Sequence, residues 1–157
     1  AALQRSVADD PRIEVRDGFL SREEMFGLQN TMDCYVSLHR SEGFGLGMAE
    51  CMYLGKPVIA TAYSGNLDFM DRDNSLLVDY KMVPLHNGDY PYWQGQQWAD
   101  ADVPHAARLM RQVFDDREFA RRIGAAAATS IRKTNSKAVC GAAVTARLRE
   151  IDLPRKG

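Results

Sequence analysis

The spacing of apolar positions predicts alternating strands and helices in the first half of the chain. Compact apolar runs at residues 34–38 and 57–60 favour strands covered on both faces, and residues 75–78 favour a third strand. Between the first two runs, apolar residues recur at helical spacing from Leu46 until Gly55 ends the pattern. Strands that alternate with helices across short connections indicate βα units and a parallel sheet. The predicted fold class is α/β, a Rossmann-like parallel sheet with flanking helices.

The segment before the first of these strands contains two further patterns. Residues 13–16 alternate apolar and charged side chains, which predicts a short strand, and residues 1–10 resemble the end of a helix. Ser21 and Glu24 form a capping box, which predicts a helix over about residues 22–31.

The second half of the chain divides into a loop and a set of helices. Residues 81–101 show neither period, which predicts a long loop pinned by aromatic side chains, more typical of a satellite hydrophobic cluster than of a sugar platform. Residues 102–157 are predicted to be helical, after a Rossmann-like core at about residues 11–80. The side chains expected to face inward are Ala106, Leu109, Met110 and Val113 on a first helix, Phe119, Ile123 and Ala126 on a second, and Val139, Ala143 and Ala146 on a third that Ser136 caps.

Composition narrows the class of protein. The 157 residues fit one domain, and 45% apolar with 26% charged residues is typical of a packed core. A net charge of −1 argues against a nucleic-acid binder, and no apolar run approaches the ~20 residues that span a bilayer. Cys34, Cys51 and Cys140 are odd in number and lie in apolar stretches without zinc-site spacing, which favours buried thiols in a reducing cytoplasm.

The segment from His39 to Glu50 is the one that carries chemistry. It lies where a predicted strand gives way to a helix, and the free N–H groups of a helix N-terminus suit a phosphate. Gly43, Gly45 and Gly47 allow the backbone to approach an anion closely. Their spacing does not fit a dinucleotide-binding fingerprint, and the chain contains neither a P-loop nor a nucleophile elbow.

Two glutamates bracket this glycine-rich turn. Glu42 precedes the helix, where its carboxylate can face a ligand, and Glu50 lies about two turns into the helix. Gly47, one turn earlier on the same face, leaves room beside Glu50, so that its carboxylate could accept both hydroxyls of a ribose. The simpler alternatives are a solvated surface glutamate at position 50 and, at position 42, a turn residue that stabilises the helix N-terminus.

Five neighbouring residues are weaker candidates for ligand binding, and each has a simpler interpretation. His39 could be a strand-end histidine satisfied by backbone groups. Arg40 could bind a phosphate or be an ordinary surface cation. Ser64, Gly65 and Asn66 form a turn that lies beside the pocket or contacts the ligand directly.

Residues 41–50 resemble the Glu-x7-Glu motif of the retaining family 4 glycosyltransferases. The resemblance extends over about residues 11–135. The segments that agree in order and spacing are 33–38, 39–46, 55–61, 64–69 and the region around 98–100. It implies the C-terminal, donor-binding half of a two-domain GT-B enzyme. Such an enzyme transfers a sugar, with retention of configuration, from a nucleotide-diphosphate donor to a growing glycan or a lipid-linked sugar.

The resemblance also implies roles for individual residues. Glu50 would hold the ribose hydroxyls of the donor, and Glu42 would lie near the transferred sugar in a binding or a catalytic role. The family is metal-independent, and the resemblance implies no cofactor. The backbone of Gly43, Phe44, Gly45 and Leu46 would contact the sugar and diphosphate, and the base would lie near Asp17, Gly18, Phe19 and Leu20.

The chain departs from the family in lacking the expected N-terminal acceptor domain and the opening strands of the donor domain. We therefore expect a truncated chain that does not catalyse transfer alone and that self-associates through a bare strand edge, at residues 13–16 or 34–38. The full-length enzyme is expected in the cytoplasm, with peripheral binding to the inner face of the membrane as one arrangement. The rival functions are a non-catalytic nucleotide- or sugar-binding module and a GT-B-like nucleotide-sugar epimerase. The base, sugar and acceptor stay open.

Overall fold

A computed structural model of the protein describes Val7 and residues 10–151. Its first half is a three-stranded parallel sheet with strand order β1-β2-β3 and helices before and after β1. This arrangement confirms the predicted Rossmann-like α/β class. The elements are α1 (Arg22–Thr31), β1 (Tyr35–Ser37), α2 (Leu46–Tyr53), β2 (Val58–Thr61), a 3-10 helix (Gly65–Asp68) and β3 (Leu76–Val78).

The second half adds an antiparallel pair of strands and three helices. Helix α3 packs on the parallel sheet, α4 packs on α2 and also contacts α3, and α5 extends from the end of α4. The elements are β4 (Tyr80–Pro84), β5 (Gln97–Ala101), α3 (Val103–Asp115), α4 (Arg117–Asn135) and α5 (Lys137–Ile151).

The central strand β2 carries the core on both of its faces. Val58 and Ala60 pack in one cluster with buried residues of α2 and α4, while Ile59 packs in a second cluster with α3 and β3. All four residues of β2 are buried, as expected for the middle strand of a parallel sheet. Helix α2, which carries Glu50, is therefore held between the sheet and α4.

Two glycines set the distance between α2 and α4. Gly55 adopts a positive φ of 75° in a Schellman turn, in which its N–H bonds to the Met52 carbonyl and the Lys56 N–H bonds to the Cys51 carbonyl. On α4, Gly124 lies against the Gly55 carbonyl so closely that a β-carbon at position 124 would overlap it. The end of α2 is thus fixed by backbone-to-backbone packing.

The first helix forms as its capping box predicts. Ser21 accepts a hydrogen bond from the Glu24 N–H through Oγ at 3.2 Å, and its own N–H donates to the Glu24 carboxylate at 2.7 Å. The predicted strand at residues 13–16 is wrong, because this segment is exposed and pairs with no strand among the described residues. Its alternating charges instead bond to each other, Arg16 to Glu14 at 2.7 Å. The helix predicted at residues 1–10 lies mostly outside the described residues.

The long loop predicted at residues 81–101 is also wrong. Strands β4 and β5 pair antiparallel, with Val83 opposite Trp98, and only residues 85–96 connect them. Most of the β4 side chains are exposed, so alternation of apolar and polar positions is weak. The pair is joined to the turn after β1, since the Ala99 N–H donates to the Arg40 carbonyl at 3.1 Å.

Strand β1 is less covered than predicted. Val36 is 37% exposed, and among the described residues β1 pairs with β2 alone. Its other edge pairs with no strand among the described residues, so β1 is the outermost strand of the described sheet. The expected self-association through this edge stays a prediction.

Two of the predicted inward faces are corrected. Helix α5 has no buried residue, so its expected inward residues Val139, Ala143 and Ala146 are all exposed. On α3, Ala106 and Val113 are buried as predicted, but Met110 is 49% exposed. Both helices were predicted correctly. The helical period alone does not show whether another part of the protein covers a given face of the helix.

The three cysteines differ in burial. Cys51 is buried, and desolvation together with the nearby Glu50 charge raises the pKa of its thiol to about 12. Cys34 is half-buried, and burial raises its pKa to about 11. Cys140 is exposed, so the prediction of a buried thiol is wrong there. None of the described helices has the length and apolar content needed to cross a bilayer.

Replacement of Gly124 by Ala should lower the free energy of unfolding by roughly 1–3 kcal/mol, because the added methyl group must push the Gly55 carbonyl and the end of α2 away from α4. Thermal and urea unfolding measure this loss. The matched control is Gly141→Ala on α5, where a β-carbon meets no atom within 4 Å. Equal stability of the two variants would show that the Gly55–Gly124 approach is not a constraint.

Candidate functional site

The glycine-rich turn after β1 lies at the carboxyl end of the parallel sheet, where ligands of such sheets bind. Helix α2 begins at Leu46, and its N-cap residue Gly45 has φ 94° and ψ 52°, a left-handed conformation that strains a residue with a β-carbon. Because its N-cap residue is a glycine, this N-terminus receives no capping hydrogen bond from an N-cap side chain. Gly45 is therefore required by the turn itself, whether or not a ligand approaches it.

A second turn, after β2, locks the first in place. Ser64 Oγ donates to the Glu42 carbonyl at 2.7 Å and accepts from the Glu42 N–H at 3.3 Å, and the Gly65 N–H donates to the same carbonyl at 3.1 Å. A β-carbon at Gly65 would overlap the Gly43 carbonyl. Ser64 itself has φ 80°, a conformation that a residue other than glycine keeps only when its surroundings hold it.

His39 joins the two turns through its ring. Its Nε2 lies 2.9 Å from the Tyr63 carbonyl and 3.2 Å from Asn66 Oδ1. The Asn66 amide orientation follows from its Nδ2, which donates to the Thr61 carbonyl, so both partners of His39 Nε2 are acceptors. The proton of the neutral ring is therefore on Nε2. The simpler interpretation of His39 agrees with this geometry, and a ligand contact by His39 stays a prediction.

Asn66 is the buried centre of this network. Its side chain is fully buried and divides its bonds between Thr61, His39 and the Met70 sulfur. Ser64, Gly65 and Asn66 thus support the glycine-rich turn, and their direct contact with a ligand is an untested prediction.

Glu50 is held from the neighbouring helix. Gln29, the one buried residue of α1, donates from Nε2 to Glu50 Oε2 at 3.0 Å. Glu50 is half-buried, and no second hydrogen bond to its carboxylate is recorded among the described residues. One carboxylate oxygen is therefore bound within the protein, and the other makes no hydrogen bond among the described residues.

Tyr35 lies within electrostatic range of both glutamates. Burial, the charge of a Cys51 thiolate, and the charges of Glu42 and Glu50 raise the pKa of its hydroxyl. A β-carbon at Gly47 would come within 2.8 Å of that hydroxyl, so a side chain at position 47 would displace the Tyr35 ring. Gly47 therefore makes room for Tyr35, whereas the sequence predicted room for Glu50.

Arg40 is engaged with β5. Its guanidinium lies 4.3 Å from the centre of the Trp98 ring and 3.8 Å from Asp100 Oδ1. This cation–π contact holds the β4–β5 pair beside the turn. The Arg40 side chain stays half-exposed, so a phosphate contact is a prediction that no observation tests.

The remaining predicted residues lie on the surface. The Phe44 ring packs against Phe69 at a centroid distance of 4.9 Å, which fixes the turn, while Leu46 is exposed. Residues 17–20 form an exposed segment before α1 instead of following a strand, and Phe19 is fully exposed. Their predicted contact with the base stays a prediction.

Sequence reasoning missed Gln29 and Tyr35. Gln29 occupies a position where the helical pattern of Met25, Leu28 and Met32 calls for an apolar side chain, and this mismatch is the signal that could have found it. Tyr35 gave no such signal, because a tyrosine is ordinary in a strand. Among the described residues, no group of three or more His, Cys, Asp or Glu side chains is placed to hold a metal.

Comparison with known proteins finds two similarities, and both concern glycosyltransferases. Residues 17–82 match the family model described as "Glycosyl transferases group 1", a shorter range than the 11–135 expected. The chain is also 30% identical over 95 residues to "Uncharacterized glycosyltransferase 335" of Sulfolobus islandicus rod-shaped virus 1. That match covers 60% of this chain and 28% of the viral protein. The similarity supports glycosyl transfer in general, and the Rossmann-like sheet is consistent with one half of a GT-B enzyme.

Replacement of Asn66 by Leu should lower the free energy of unfolding by roughly 1–3 kcal/mol, because the Thr61 carbonyl and the His39 Nε2–H lose a buried partner. Chemical unfolding measures the loss, and nitrogen NMR of neutral His39 should show the Nε2–H form in the parent protein. Asn30→Leu, at an exposed position of α1, is the control. A His39 ring protonated on Nδ1 would contradict the proposed network.

Proposed function

We propose that this chain is the donor-binding part of a retaining glycosyltransferase that uses a nucleotide-diphosphate sugar. The observation that carries the proposal is the placement of Glu42 and Glu50 around an uncapped helix N-terminus at the carboxyl end of a parallel sheet. The match of residues 17–82 to the glycosyltransferase family contains this whole turn. The acceptor would be a glycan or a lipid-linked sugar bound by the rest of the enzyme.

The helix N-terminus supplies the site for the diphosphate. The first N–H groups of α2 point out of the helix without intrahelical partners, and its dipole adds about half a unit of positive charge there. Helix α2 has no acidic residue in its first turn, so no carboxylate of that turn competes with the phosphates for the helix N–H groups. As the bond from the sugar to the diphosphate breaks, the growing negative charge on the diphosphate is stabilised where it forms.

The two glutamates suit different parts of the donor. Glu50 presents a carboxylate with one oxygen already bound, which favours acceptance of hydrogen bonds from ribose hydroxyls by the other. Glu42 is half-buried beside the turn. Its backbone is held by three hydrogen bonds, while its side chain makes none with the residues that the structure describes. We propose that Glu42 faces the transferred sugar. In the proposed transfer, the acceptor oxygen bonds to the anomeric carbon while the bond from that carbon to the diphosphate breaks, and the nucleoside diphosphate leaves with the electron pair of that bond. The proton of the acceptor hydroxyl passes to the departing diphosphate.

The charge of Glu50 should be required for donor binding. In the full-length protein, Glu50→Gln should weaken binding of UDP or GDP, whichever the parent protein binds, by about 1–3 kcal/mol, because a charged acceptor for the ribose is lost. Isothermal calorimetry measures the affinity. Glu23→Gln, at an exposed position of α1, should leave it unchanged. If Glu50→Gln binds as tightly as the parent protein, Glu50 does not recognise the ribose.

Gly43 offers a cleaner test of close ligand approach than Gly45. A β-carbon at Gly43 meets no protein atom within 4 Å and the residue is not at positive φ, so Gly43→Ala should fold normally. If the backbone there contacts the sugar and diphosphate, the methyl group should reduce the affinity for the intact donor at least about tenfold. Calorimetry with Gly141→Ala as the control tests this, since position 141 is equally open. Unchanged affinity would show that the ligand does not approach this backbone.

A further inference from the structure

Gln29 is a buried polar residue in a place where the fold needs none. Its side chain is 2% exposed, and it lies on α1, which packs on α2. Among the described residues its side chain makes one hydrogen bond, from Nε2 to Glu50 Oε2 at 3.0 Å. Its Oε1 atom is buried and has no hydrogen-bond partner in the described part of the chain. The amide is therefore only half satisfied.

This arrangement disfavours a purely structural role. A buried acceptor without a hydrogen bond destabilises the folded state, while an apolar side chain of the same length would fill the space without that penalty. Exchanging the two ends of the amide does not help, because Oε1 would then face the Glu50 carboxylate. The one favourable contact of the buried amide is with Glu50.

The bond restrains the carboxylate that the proposed function assigns to the ribose. Glu50 extends from α2, and its Oε2 is held by a residue of the other helix, so the carboxylate cannot rotate freely. With Oε2 occupied, Oε1 is the atom presented to a ligand. A carboxylate fixed before the ligand arrives loses less side-chain entropy on binding than a mobile one.

We propose that Gln29 is a positioning residue that orients Glu50 for recognition of the ribose of a nucleoside diphosphate. This inference rests on the proposed function, because it requires Glu50 to bind ribose. Gln29 does not touch the ligand; it acts through Glu50 Oε2. Its contribution should therefore appear only for ligands that carry the ribose hydroxyls.

The experiment compares ligands with and without those hydroxyls in the full-length protein. Calorimetry gives the affinities for UDP and 2′,3′-dideoxy-UDP, and in parallel for GDP and 2′,3′-dideoxy-GDP. The ratio of the two affinities is the ribose selectivity, which we expect to be about tenfold or more in the parent protein. Gln29→Met keeps the length of the side chain and removes the donor. It should reduce the selectivity about three- to tenfold through weaker binding of the ribonucleotide alone.

A second variant keeps the shape of the Gln29 side chain and replaces its hydrogen-bond donor with an acceptor. Gln29→Glu places a carboxylate against Glu50, and two carboxylates in contact bind a shared proton as the pH falls. Ribose selectivity should therefore be low near pH 8 and recover near pH 5.5 in this variant, with no such recovery in Gln29→Met. Damage to the fold alone would weaken the binding of both ligands of a pair equally, so the selectivity would not change.

The outcomes separate the two proposals. If the parent protein binds neither nucleotide, or binds it no better than its dideoxy analogue, the role of Glu50 fails and this inference fails with it. If the parent protein is selective and Gln29→Met keeps that selectivity, the role of Glu50 stands and the positioning role of Gln29 is refuted. Loss of selectivity in Gln29→Met, with its pH-dependent recovery in Gln29→Glu, supports the proposal.

Discussion

The contact between two turns at the carboxyl end of the sheet determines the rest of the site. The Glu42 carbonyl accepts from both Ser64 Oγ and the Gly65 N–H, and a glycine is required at position 65 because the Gly43 backbone lies against it. Parallel strands β1 and β2 bring their carboxyl ends to one edge of the sheet, so the turns that follow them meet there. Their mutual hydrogen bonds replace the water that each exposed turn would otherwise bind.

This contact also explains where strain is tolerated. Ser64 has a positive φ, and Gly45 does as well, on opposite sides of the same junction. The conformation of Ser64 costs roughly 1–3 kcal/mol and persists where the surroundings fix it, whereas glycine adopts a positive φ without that cost. Here the fixing elements are the Asn66–His39 network below the turns and the Phe44–Phe69 ring contact beside them. These contacts hold the backbone of the turn in place, which under the proposed function favours binding of the charged diphosphate, since donors that must reorganise stabilise charge less well.

The sequence predicts elements whose formation depends on local hydrogen bonds and on burial. It fails for elements that depend on contact with a distant part of the chain. The strand β2, the helix α2 and the capping box at Ser21 were all predictable, because burial on both faces and local hydrogen bonds leave a clear periodic signal. The β4–β5 pair was not, because its strands are exposed and depend on each other across twelve intervening residues. Helix α5 shows the reverse failure, a correct helix whose inward face has nothing to cover it in the described structure.

The site shows the same limit of sequence-based prediction. The two glutamates were predictable, but the way in which each is held in the fold was not. Both were visible in the sequence through the glycine-rich turn, but their surroundings were not. Glu42 is fixed through its backbone and its carboxylate makes no hydrogen bond among the described residues, whereas the carboxylate of Glu50 is held by Gln29 from another helix. A rigid acceptor suits a group that every donor shares, such as a ribose, because pre-organisation raises affinity for one fixed shape. Under the proposed function, a carboxylate without such a bond would be able to follow the reacting sugar, whose geometry changes as its bond to the diphosphate breaks.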